Sequence, residues 1–196
     1  MAELAKRIAT YEDLNSIPEN TIGEIINGEL IVSPRPSRKH TYAALALGTD
    51  LAAPYQFGRG GGPGGWIIIV EPEIGLGEHI MVPDLAGWRK ERFPVEEDHN
   101  WISAVPDWIC EILSPQTASL DKAEKMPLYA RYGVAYAWII DPIMMKTLDV
   151  YRLESGGWWR LLESYGGNDK MRAEPFQDVE INLGDLWIGS SQPSTI

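Results

Sequence analysis

The chain of 196 residues has a single cysteine, Cys110. An internal disulfide framework is thereby excluded, and the composition suits a reducing compartment. No apolar run approaches the roughly 20 residues needed to cross a bilayer. The opening stretch, "MAELAKRIATYEDL", holds no apolar core of the kind a secretory signal needs. These absences predict a cytoplasmic protein with no membrane partner. Positive charge is also scarce. There are 17 Lys and Arg against 28 Asp and Glu, a formal net charge of −11. A broad nucleic-acid-binding surface is normally basic, so that charge argues against one. It leaves room for a local basic groove, or for a metal ion that brings its own positive charge. The three histidines, His40, His79 and His99, have no zinc-site spacing.

What is present is an ordinary globular composition, 44% hydrophobic and 23% charged. The length favours one domain with a real core, which we place at residues 10–187. Residues 1–9 form an N-terminal extension in this reading, and 188–196 a disordered tail. Thr10 followed by Asp13 predicts a short helix start. "GEIINGELIV" predicts a hairpin around Asn27-Gly28, with Ile26 facing Glu29 and Glu24 facing Ile31. Ile25, Leu30 and Val32 then share an apolar face. "SRKHTYAALALGTDLAAPY" reads as a helix capped by Ser37, with Ala44, Leu47 and Leu51 inward. "GRGGGPGG" is a flexible loop that lacks the Lys-Ser/Thr ending of a phosphate-binding P-loop. "WIIIVEPEIGL" and "HIMVPDLAGW" read as two strands, and "RKERFPVEEDHNW" as a charged loop.

Residues 108–113, "WICEIL", read as a strand apolar on both faces, inside a sheet covered on both sides. Ile109, Glu111 and Leu113 lie on one face; Trp108, Cys110 and Ile112 lie on the other. Glu111 is anomalous there, because a buried carboxylate must be neutralised, paired or metal-bound. "SPQTASLDKAEKMPLYARYG" reads as a helix from near Ser119 to Gly133, with Pro127 marking a first turn or a kink. "VAYAWIID" is a further buried strand, and "TLDVYRLESGGWWRLLESY" a hairpin across Gly156-Gly157. The element order predicts an α/β or α+β fold with a mixed sheet.

Asp84 follows a proline at the end of one apolar strand, Glu111 lies in the next, and Lys125 lies on the helix after that. Carboxylates on neighbouring strands can converge, and two together repel unless something compensates. A hard divalent cation is the natural compensation.

The segments "VPDLAGW", "EILSPQTASLDKAEKMPLYARYGVAYAWIIDP" and "EIINGELIVSPRPSRKH" resemble the Uma family, restriction-endonuclease-like proteins of the PD-(D/E)XK nuclease superfamily. The resemblance runs from about residue 10 to about residue 187. It implies a restriction-endonuclease-like core, a mixed central sheet flanked by helices, here with added β-hairpins. It implies that Asp84 and Glu111 bind Mg²⁺ or Mn²⁺, with the Ile112 carbonyl as a third ligand. The superfamily's lysine is expected two residues after the acid, where this chain has Leu113. Lys125 on the following helix matches the family instead, with Lys122 as the competing candidate. Glu24 and Glu29 match the family's "E…GEL" stretch as accessory acids. Pro106-Asp107 is read as a decoy at a sheet edge or turn.

The reaction implied is hydrolysis of DNA phosphodiester bonds by metal-activated water, with Asp84, Glu111 and Lys125 as catalytic residues. Arg35, Arg38, Lys39 and His40 form the densest basic cluster, and Arg38, Lys39 and His40 are read as substrate-binding. A homodimer would suit an enzyme that cuts two strands. The alternative is a non-catalytic nuclease fold used as a binding or assembly module. A third class is a metal-dependent hydrolase of a smaller phosphate compound.

Overall fold

The computed structural model describes residues 7–189. Most of the expected N-terminal extension, and residues 190–196 of the expected disordered tail, lie outside the described residues.

The first helix, α1 (Tyr11–Leu14), opens as expected, with the Thr10 N–H donating to the Asp13 carboxylate at 2.8 Å. β1 (Thr21–Ile26) and β2 (Glu29–Pro34) form the expected hairpin. Asn27 and Gly28 both have positive φ, 53° and 75°, as a tight turn matched to strand twist requires. The register places Glu24 opposite Ile31 and Ile26 opposite Glu29. Ile25 is buried, but Leu30 and Val32 are exposed, because β2 is the outer strand of its sheet. The Ser37 hydroxyl accepts the His40 N–H and starts α2 (Arg38–Leu51), which runs on through a π turn (Ala52–Gln56). Ala44, Leu47 and Leu51 are buried.

The next stretch differs from the expectation of two strands. It contains four: β3 (Trp66–Val70), β4 (Ile74–Leu76), β5 (His79–Met81) and β6 (Leu85–Arg89). β3 pairs with β6, and β4 with β5. The breaks fall at Pro72 and Pro83, which have no N–H to give to a ladder. One long hairpin therefore bends at both prolines and passes from one sheet into another. Asp84 sits at this bend.

β7 (Trp108–Ile112) is buried throughout. The connection after it carries α3 (Ala118–Leu120), a π turn (Asp121–Lys125) and α4 (Met126–Tyr132), and leads into β8 (Tyr136–Asp141). Pro127 has no N–H for the carbonyl four residues back, and the helix widens into the π turn just before it. β9 (Thr147–Leu153) and β10 (Trp159–Gly166) make the expected second hairpin, and β11 (Lys170–Met171) and β12 (Ile181–Asn182) a small ribbon.

The central sheet has the order β10-β9-β8-β7-β6-β3, with β7 and β8 parallel and every other pair antiparallel. The parallel pair forces a long crossover, which α3 and α4 occupy. A second, antiparallel sheet has the order β2-β1-β5-β4. The two faces of β7 divide as read from its sequence. Trp108, Cys110 and Ile112 enter a core with α2, Trp66, Trp138 and Phe176. Ile109 and Leu113 enter a second core with α4 and the small sheet. Glu111 belongs to that second face, at its boundary with the small sheet.

Gly133 closes α4 at φ 85°, and an added Cβ there would meet nothing within 4 Å. The cost of a side chain is therefore purely conformational. Gly133→Ala should lower stability by about 1 kcal/mol, read as a shift in the urea midpoint at unchanged slope. Gly133→Asn should lose less, because asparagine tolerates the left-handed region.

Candidate active site

Separate segments of the chain meet at one cavity of about 270 Å³. β1 supplies Glu24, and the first turn of α2 supplies His40. The bend before β6 supplies Val82 and Asp84. β7 supplies Glu111, and the π turn supplies Asp121 and Lys125. Residues 33–37 and 114–117 complete the walls.

The pairing of β6 with β7 sets Leu85 opposite Cys110. One step further along the same register brings Asp84 level with Glu111. The Ile112 N–H donates to Asp84 Oδ2 at 2.6 Å, which fixes the carboxylate across the strand end. His40 Nε2 lies 3.1 Å from the other oxygen, Oδ1. The bend itself is tied from behind: Glu71, in the left-handed region at φ 48°, donates its N–H to the Asp84 carbonyl at 2.9 Å.

Lys125 occupies the floor and is 2% exposed. Its ammonium stands 2.8 Å from Glu111 Oε1, 3.0 Å from Glu24 Oε1 and 3.7 Å from Asp121 Oδ1. It also donates to the Val82 carbonyl at 3.1 Å. The Val82 N–H donates to Glu24 Oε1 at 2.8 Å, and the Tyr129 hydroxyl donates to Glu111 Oε1 at 2.6 Å. Buried charges survive only when paired and hydrogen-bonded, and this network meets that demand.

The cavity is rich in carboxyl groups. Glu24, Asp84, Glu111 and Asp121 face the Lys125 ammonium and His40. Burial pushes the Glu111 carboxyl well above the usual range; Lys125 opposes this, while the charges of Asp121, Asp84 and Glu24 add to it. Burial likewise pushes Asp121 up to about 6, against the pull of Lys125 and a hydrogen bond from Thr117. For Lys125, burial works downward, and the carboxylates of Glu111 and Glu24 outweigh it, so the group stays an ammonium. Burial also works against the His40 cation. The hydrogen bond and charge of Asp84, with the Glu71 charge and the Ile112 backbone, outweigh it and leave the pKa raised.

The structure brings together Asp84, Glu111, Lys125, Glu24 and His40 among the residues singled out from sequence. Glu29 is not among the lining residues; it lies on exposed β2. Lys122 is exposed, one turn from Lys125 and outside the cavity wall. The basic cluster divides. His40 points inward to Asp84, Arg35 lines the mouth 3.7 Å from Glu71, and Arg38 and Lys39 stay exposed. Asp107 accepts the Arg89 N–H at 2.8 Å and pairs with the Arg92 guanidinium, away from the cavity. Leu113, two residues after Glu111, is buried in the second core.

Asp121, Tyr129 and the Val82 backbone were not singled out from sequence. The spacing 121, 125, 129 would have pointed to the two side chains, since residues four apart share a helix face.

The available donors are hard oxygens. Among the described residues, no group of three or more His, Cys, Asp or Glu is placed to cage a metal ion. Asp84 and Glu111 on one wall fit instead the manner in which Mg²⁺ is held, by one or two carboxylates with other positions left to water and substrate phosphate. No helix among the described residues is long and apolar enough to cross a membrane.

Comparison with known proteins agrees with this architecture. A crystal structure of a putative nuclease of the DUF820 group from Anabaena variabilis ATCC 29413 superposes with a TM-score of 0.73 at 24% identity, over 91% of this chain and 97% of that one. At that identity the likeness concerns the fold. No curated protein matches the chain. Residues 8–184 match the family model Uma2, described as "Putative restriction endonuclease". That match supports a nuclease-like role, and because it spans nearly the whole chain, the protein belongs to the Uma2 family.

Proposed function

We propose that the protein is an endonuclease that hydrolyses phosphodiester bonds of DNA, with Mg²⁺ or Mn²⁺ held by Asp84 and Glu111. The observation that supports this most is the meeting of those two carboxylates with a buried Lys125 in one cavity. When bound, the cation supplies an activated water and neutralises charge on the phosphate. The Ile112 carbonyl, at the end of β7, is the proposed third ligand.

The chain's own groups divide the remaining work. Ile112 N–H and His40 fix the Asp84 carboxylate. Tyr129 fixes the Glu111 carboxylate. Glu24 anchors the Lys125 ammonium, so that its protons point to a set place. Lys125 carries its proton and cannot act as a base; its three N–H bonds go to Glu111, Glu24 and the Val82 carbonyl, so it acts through its charge, which stabilises the phosphoryl group as negative charge develops there. Arg35 at the mouth, with Arg38 and Lys39 beside it on α2, offers the cationic approach for a phosphate backbone.

A second reading, a nuclease fold used only as a binding or assembly module, draws on Leu113 and on the close engagement of Lys125 by carboxylates. Binding of DNA without turnover in Mg²⁺ and Mn²⁺ would favour it. Competition by free nucleotides would favour a hydrolase of smaller phosphate compounds.

Asp84→Ala and Glu111→Ala should each reduce metal-dependent plasmid nicking by about 10³-fold or more while the far-ultraviolet circular dichroism stays that of wild type. Cleavage at the wild-type rate by either variant would remove the assignment. Lys125→Met should lower cleavage by about 10²-fold or more, whereas Lys122→Met should leave it unchanged. The same Lys125→Met change strips the cation from three buried carboxylates, at a cost of about 3–5 kcal/mol. That loss should be larger at about pH 8 than at about pH 5, because protonated carboxyls no longer repel one another. Urea unfolding at both pH values reads the difference, and an equal loss at both would contradict the electrostatic account. Charge reversal of Arg38 and Lys39 together should weaken oligonucleotide binding and flatten its dependence on salt by up to about two phosphate contacts. Unchanged binding would remove that edge from the substrate path.

A further inference from the structure

The cavity contains one acid that the scheme above leaves without a task. Asp121 is buried, lines the same cavity as Asp84 and Glu111, and has no counterpart among the residues the sequence pointed to. We infer that Asp121 accepts the proton of the attacking water in the hydrolysis, a step that rests on the nuclease reading above.

The other carboxylates are committed. Glu24 Oε1 takes both the Val82 N–H and the Lys125 ammonium. Glu111 Oε1 takes Tyr129 and Lys125, and Asp84 takes the Ile112 N–H and His40; both acids are also the proposed ligands of the cation. Lys125 already carries its proton. Asp121 accepts one hydrogen bond, from Thr117, and stands 3.7 Å from the Lys125 ammonium, beyond hydrogen-bond length, so it feels that charge while holding fewer close partners than the other three acids. It lies in the π turn that also presents Lys125, so the proton acceptor and the buried cation share one turn.

The groups facing Asp121 come from every wall. Lys125 and Thr117 belong to its own connection; Glu24 comes from β1, Asp84 from the bend before β6, and Glu111 from β7. The negative groups and burial favour its protonated form, and they bring its carboxyl up to about 6. A general base close to neutrality remains ionised at working pH and still takes up a proton readily.

The step balances. A water O–H bond breaks and its proton passes to the Asp121 carboxylate. The freed oxygen bonds to phosphorus as the ester P–O bond breaks. The leaving alkoxide takes a proton from solvent water, and the hydroxide so formed removes the proton from Asp121 and restores the carboxylate.

The test uses the full chain as wild type, Asp121→Asn and Asp121→Ser. Oligonucleotide cleavage gives kcat and KM across pH, Mn²⁺ titration by calorimetry gives metal affinity, and thermal unfolding checks the fold. The expected result is a fall in kcat of about 10²–10⁴-fold with KM and Mn²⁺ affinity unchanged and the acid limb of the wild-type pH profile lost. Added formate should partly restore Asp121→Ser, the smaller side chain. Cleavage by either folded variant at the wild-type rate, or an acid limb that persists, overturns the proton transfer and leaves the nuclease reading standing. Loss of Mn²⁺ binding also overturns it and makes Asp121 a metal ligand. A wild-type protein that binds Mn²⁺ and DNA but cuts nothing overturns the nuclease reading itself, and the proton transfer with it.

Discussion

The Lys125 ammonium, buried among Glu24, Glu111 and Asp121, is the interaction on which the site depends. Each carboxylate by itself would be an unpaired buried charge, and so would the lysine. Together they are tolerable, and they hold four parts of the chain at one point. Glu24 draws in the small sheet, Glu111 the central sheet, Asp121 and Lys125 the crossover connection, and the Val82 carbonyl the bend of the long hairpin. Four carboxyl groups share this cavity with Lys125, His40 and Arg35, so its lining is rich in hard oxygen atoms.

The backbone that presents these groups is irregular at two places, and both irregularities have a cause in the sequence. Pro72 and Pro83 break the long hairpin where it passes between sheets, and Asp84 leaves the ladder at that point. Its carbonyl still accepts the Glu71 N–H, and its carboxylate reaches the Ile112 N–H across the end of β7. Pro127 cannot complete the helix behind it, and the turn before it widens to π geometry with Asp121 and Lys125 at its ends. Breaks that cost hydrogen bonds in the scaffold thus coincide with the residues that point into the cavity.

How much of this was legible in the chain varies with the kind of signal. The Asn27-Gly28 hairpin, Ser37 as helix cap, the two-faced strand 108–112 and the Gly133 stop all follow from local rules, and all are found. The split of the segment 66–89 into four strands was missed, although Pro72 and Pro83 are visible in the sequence, because the apolar runs on either side read as continuous. Glu111 announced itself as a charge in an apolar strand. Asp121 did not, because an aspartate near a helix start is usually solvated, and only the meeting of the small sheet with the crossover buries it. His40 read as part of a surface cluster because neighbours in sequence look alike there. On a helix, Arg38 and Lys39 turn to solvent while His40, one position on, turns inward.

The leucine at position 113 and the buried lysine on the crossover have a physical explanation in the same terms. Position 113 is on the Glu111 face of β7, and that face beyond the cavity is the floor of the second core, where Leu113 packs with Ile109 and α4. A lysine there would have to thread its charge out past Tyr129 and Met126, or lie unpaired among apolar side chains. The ammonium in the cavity comes from the crossover, and the chain keeps an apolar residue after β7 where its core needs one. The helix must then bring a long side chain to Glu111 at 2.8 Å while Asp121 stays on the same wall, and the widened turn before Pro127 is what lets both reach it. Moving the cation off the strand therefore couples the site to the crossover helix, so that whatever disturbs the π turn disturbs Lys125 and Asp121 together.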